Sequence, residues 1–249
     1  MKKFIKTFLT FFISLVFLEF IYKTQVLGTV FDLGLLYMCL FSCVYALLIT
    51  AISVSLPTKL GRTFGFIVYI FNTILFIGEA MFTYIIGSTF SMYSLHLANQ
   101  AFDFRKILFE SMAEKWYVIL LFLLPLIVFI IIRKKVIEQI KIKSWLLHFI
   151  PVVIMYSVTM IAVLLDTNGA FSAYNLYHKQ NVPSVSVNKF GLVTGFGLDL
   201  TRYVFGFEEE LTVDITPNNN QNNVINDTEK EVTYNINIYG FPACWMRQK

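Results

Sequence analysis

The chain has 249 residues, is 57% hydrophobic and only 14% charged, and carries a net charge of +4 with a mean hydropathy of +0.66. That balance excludes an ordinary water-soluble globular domain and points to a membrane protein. The small positive excess follows from the loop charges described below and implies no nucleic-acid partner.

Apolar stretches long enough to cross roughly 30 Å of hydrocarbon, about 20 residues each, mark the spans. The first covers about residues 4–22, in "MKKFIKTFLTFFISLVFLEFIYK". It has the basic start of a signal peptide, but no small-residue cleavage site follows, so a retained span is expected. The second and third cover about 30–55 and 63–88. Next comes a polar stretch with apolar residues at Leu97, Ala101, Phe104, Leu108 and Met112. Their spacing predicts an amphipathic helix, either lying on the outer membrane surface or packing on the tail. The fourth span, about 116–132, contains Pro125, where a kink is expected. The fifth covers about 146–166, and Trp116 and Trp145 fall near span ends as interfacial anchors.

A lead-out over 167–211 follows, with turn signals at Asn168-Gly169 and Pro183 and one short helix expected over 190–205. Residues 212–249 read as an asparagine-rich linker and a short tail, too poor in large apolar residues to order. Counted over the amino terminus and the short loops between spans, ten Lys and Arg residues fall on one side and four on the other. This places the amino terminus inside and, with five spans, the carboxyl terminus outside the cell membrane.

Motifs for chemistry are few. Cys39 and Cys43 lie in the second span and Cys244 in the tail, and His96, His148 and His178 are far apart, so no metal or catalytic set is assigned. The glycines at 191, 195 and 197 have the wrong spacing for a nucleotide loop. Carboxylates near hydrocarbon carry more weight, because burying them there is costly. Glu19, Asp32, Glu79 and Asp166 all fall toward the outer ends of their spans, with Glu79 the deepest. One reading has them orient the helices at headgroup level, with Glu19 near Lys23. The other makes Glu79 an acceptor for lipid-headgroup hydroxyls, with Glu19, Arg105 and Lys106 as further headgroup candidates.

Five spans followed by "NKFGLVTGFGLDLTRYVF" resemble the membrane part of lipoteichoic acid synthase and related phosphoglycerol transferases of the alkaline phosphatase and sulfatase superfamily. The resemblance covers residues 1–211, mostly in pattern and in the lead-out in residues. It implies an all-helical membrane domain that holds a manganese-dependent extracytoplasmic transferase near phosphatidylglycerol or glycolipid. The catalytic domain that would carry the nucleophilic threonine and the metal ligands does not follow the linker, so no catalytic residue and no cofactor is assigned to this chain. The change of character at "YGFPACWMRQK" leads us to expect a frameshift or early stop. Two other readings stand beside the anchor: a stand-alone membrane protein that binds lipid or a membrane-protein partner, and a small transporter component.

Overall fold

The computed structural model describes residues 2–29, 32–93, 105–138 and 145–207, and every regular element among them is helical. The expected linker and tail, His96, Asp103, Lys141, Lys143 and Cys244 lie outside the described residues. Helix α1 (Lys2–Ile21) widens into a π-helical turn over Tyr22–Val26 that buries Tyr22 and Lys23. Asp32 caps α2 (Leu33–Ser55), accepting from the Leu35 amide at 3.1 Å. Leu56 and Pro57 alone separate α2 from α3 (Thr58–Ile86). The residue before a proline is pushed to extended backbone, which ends α2, and proline's fixed φ suits the entry to α3. Gly87, at φ +81°, ends α3 in the left-handed conformation that glycine adopts at no steric cost.

Helix α4 (Arg105–Glu114) runs through a turn at Lys115 into α5 (Trp116–Val136). Pro125 sits buried inside α5, and the helix continues through it. A 3₁₀ turn at Trp145–His148 leads to α6 (Ile150–Leu165). Four helices are long and apolar enough to cross a membrane: α1 with its π turn, α2, α3 and α5. Helix α6 matches the fifth expected span in position and is apolar, but has only 16 residues. At a rise of about 1.5 Å per residue it is about 24 Å long, shorter than the bilayer core. Large apolar side chains stand exposed along α5 and α6, among them Leu120, Ile127, Ile131, Ile154 and Ile161. This is the surface expected of helices whose solvent is lipid.

The spans pack through three apolar clusters. One joins Leu18 and Tyr22 of α1 to Phe76 and Ala80 of α3 and Phe122 of α5. A second joins Phe11, Ala46, Tyr69 and Phe129, with the Tyr69 and Phe129 rings stacked 4.0 Å apart. The third seats the lead-out: Tyr37 and Phe41 of α2 and Val163 of α6 meet Ala173, Leu176 and Phe190. The lead-out holds three helices where the sequence suggested one: α7 (Ala173–His178), α8 (Pro183–Phe190) and α9 (Leu192–Phe205). Pro183 begins α8, where its missing N–H costs nothing, and Gly191 at φ +89° divides α8 from α9.

The two ends of the bundle differ in charge. Lys2, Lys3, Lys6, Lys59, Arg62 and Arg133–Lys135 share one end. There Lys6 donates to the Lys135 carbonyl, Thr7 to Val136, and Arg62 to Lys134 and Ile137, so the last carbonyls of α5 are met by α1 and α3. The α2–α3 hairpin closes at this end without room for a side chain at Gly61. A Cβ there would lie 2.2 Å from the Ser53 carbonyl oxygen, whereas one at Gly78 would meet nothing within 4 Å. Gly61→Ala is therefore expected to destabilise the purified protein by about 1–3 kcal/mol, while Gly78→Ala is neutral or stabilising. Thermal unfolding in detergent checks this, and equal melting temperatures for the two variants would refute the close approach.

Candidate functional site

The opposite end of the bundle holds the acidic residues singled out from the sequence. Glu19 is 2% exposed, and both its oxygens are engaged: Oε2 accepts from the Leu192 amide at 2.7 Å and Oε1 from the Val193 amide at 3.0 Å. A carboxylate from α1 thus caps α9, meeting amides that the first turn of a helix leaves unbonded, where the helix dipole favours negative charge. Gly191 makes the approach possible, since a Cβ there would lie 2.9 Å from the Glu19 carboxylate. Lys23 lies near Glu19, as the sequence suggested, and bonds other partners. Its ammonium, 3% exposed, bonds Asp32 at 2.8 Å, the Asn188 carbonyl at 2.7 Å and Asn188 Oδ1 at 3.0 Å. Those three bonds use all three of its donors.

Two further charges seat the lead-out. Asp166, just past α6, bonds Lys189 at 2.8 Å and accepts from the Ala173 amide at 3.0 Å. Arg202 of α9, 6% exposed, donates to the Leu176 and Tyr177 carbonyls at 2.6 and 3.1 Å and so closes the end of α7. Burial first, and then the Arg202 charge, hold the nearby His178 imidazole below its ordinary value, so it is neutral at pH 7 and adds no second cation there.

Residues 89–92, just past α3, form a strap between two buried acids. Glu79 Oε1 accepts from the Phe90 amide at 2.6 Å, and Asp199 of α9 accepts from the Met92 amide at 2.5 Å and from Ser91 Oγ at 3.2 Å. Thr89 Oγ1 donates to Ser184 Oγ at 2.7 Å. Beside the strap lies an open slot of about 280 Å³, lined by Ile74, Leu75, Gly78, Glu79, Phe82, Phe90 and Phe196. Glu79 is the polar member of an otherwise apolar lining and is itself 6% exposed.

The headgroup candidates whose side chains are described occupy different places. Glu79 lines the slot and Glu19 caps α9. Arg105 opens α4, and Lys106 is exposed, its Nζ 4.0 Å from Glu110 one turn away. Sequence reasoning missed Asn188 and Lys189, which answer Lys23 and Asp166, and Asp199 and Arg202, which bond the strap and the end of α7. The leading signal was "LDLTR" itself, where an acid and a base three residues apart share one face of an apolar helix.

Among the described residues, no three His, Cys, Asp or Glu side chains come together as metal ligands. The remaining histidine of the described spans, His148, is buried at the basic end, with Nδ1 3.0 Å from Ser55 Oγ and its ring stacked on Phe4. Comparison with family models, with curated proteins and with solved structures finds no match for this chain.

Proposed function

We propose that this chain is a membrane-anchoring domain that seats a helical lead-out against the outer ends of its spans, so that whatever follows starts from a fixed place at the membrane surface. The observation that carries the reading is Glu19 of α1 capping α9 across the bundle, supported by the ties of Lys23 to Asn188 and Asp166 to Lys189. A flexible lead-out needs none of these, and burying charge to hold it has a cost that a mere spacer does not incur. In this reading α6 completes five crossings, the basic end faces the cytoplasm, and the lead-out end faces outward in the cell membrane.

The identity of the anchored activity rests on the sequence resemblance alone. It makes the anchored part a phosphoglycerol transferase, with phosphatidylglycerol or a glycolipid as its lipid partner. Reading the locus past codon 249 in all three frames tests this. A frame with a nucleophilic threonine and metal ligands is expected, and the lack of one would remove the transferase and leave an anchor of another kind.

Topology is tested separately. With Cys39, Cys43 and Cys244 replaced by Ser, Thr201→Cys is expected to react with a membrane-impermeant maleimide in intact cells. Lys59→Cys should react only after permeabilisation. Labelling of both sites in intact cells, or the reverse pattern, would overturn the anchor reading.

A further inference from the structure

We propose that the slot beside Glu79 holds one acyl chain of an uncharged, hydroxyl-bearing membrane lipid. Five of its lining residues come from α3, a helix of membrane-spanning length, and Phe90 and Phe196 complete it from the strap and α9. Ile74 is 66% exposed at its edge, so the medium that fills the slot is the bilayer itself. The lining gives an acyl chain apolar contact from Ile74, Leu75 and three phenylalanines, and Gly78 leaves the space unfilled. Apolar walls that meet no neighbouring atoms forfeit dispersion contacts, which a chain from the surrounding lipid supplies.

The charges select the headgroup. An adjoining crevice shares Glu79, Phe90 and Phe196 with the slot and adds Asp199. No basic side chain is among the described residues that line either one. A phosphodiester held here would meet two acidic side chains and no basic one in a medium of low dielectric, so its charge would go unmatched. A hydroxyl instead donates to Glu79, whose Oε1 holds one backbone amide while a carboxylate accepts about four bonds in all. The assignment rests on α3 crossing the bilayer and is independent of any transferase domain.

The full chain in zwitterionic nanodiscs doped equally with dioleoylglycerol and dioleoylphosphatidylglycerol, read by native mass spectrometry of retained lipid, tests the proposal. Wild type is expected to retain about tenfold more dioleoylglycerol than its anionic competitor. Gly78→Leu places its side chain in open space and should abolish retention while the melting temperature is kept, which separates a filled slot from a misfolded protein. Glu79→Gln should keep acyl retention and bring the two lipids to within about twofold of each other. Equal retention of both lipids by wild type, a preference for the anionic lipid, or wild-type retention by Gly78→Leu would each overturn the proposal. None of these outcomes bears on the labelling pattern that tests the anchor.

Discussion

Glu19→Ala is expected to unseat the lead-out. The substitution removes both acceptors from the Leu192 and Val193 amides and leaves them facing the hollow where a 2%-exposed side chain had been. Each buried amide left without a partner costs about 1–3 kcal/mol, so a total loss of about 2–6 kcal/mol is expected. Glu19→Gln, which retains one carbonyl oxygen, should lose about half as much. Two readouts separate local from global loss. Thermal unfolding in detergent gives the overall change, and trypsin cleavage at Lys189 and Arg202 reports release of α8 and α9. Cleavage rates and melting temperature like those of wild type would show that the cap contributes nothing.

The second large effect is expected at Lys23. Lys23→Met removes the partner of Asp32 and three hydrogen bonds at once, and breaking one side of a buried pair costs about 3–5 kcal/mol. Asp32 is itself 40% exposed, which places this case at the lower end of that range. The double variant Lys23→Met/Asp32→Asn removes the orphaned charge and keeps a residue able to cap α2. It should therefore recover part of the loss. If instead the two single effects simply add in thermal unfolding, the pair is not coupled and the ion pair does not hold this end.

Four of the five expected spans were legible as helices of crossing length because an apolar run of the right length leaves few alternatives. Even so, α3 begins at Thr58 rather than 63, since Lys59 and Arg62 interrupt the apolar run while sitting comfortably at the basic end, where Arg62 caps α5. The lead-out was read less well. Pro183 is a turn signal in sequence, yet here it opens a helix, and Gly191, which lay inside the helix expected over 190–205, separates two helices. The cost of Glu19 and Glu79 was visible, whereas their partners were not. Both acids bond backbone amides, which every residue except proline carries, so no sequence pattern marks Leu192, Val193 or Phe90 as the answering groups. The slot was hidden for a related reason, because Phe196 comes from an element more than a hundred residues beyond Ile74.

The cap on α9 also orders events in time. Glu19 leaves the ribosome 173 positions ahead of the Leu192 amide that it receives, and Lys23 emerges 165 positions ahead of Asn188. Through most of synthesis the first hairpins stand in the bilayer with a carboxylate and an ammonium that have not met these partners. Groups of that kind are costly to bury until α8 and α9 supply their partners. Among the described residues the last helices are thus the ones that complete the hydrogen bonding of the first, and in the orientation proposed above that step follows passage of the lead-out across the membrane.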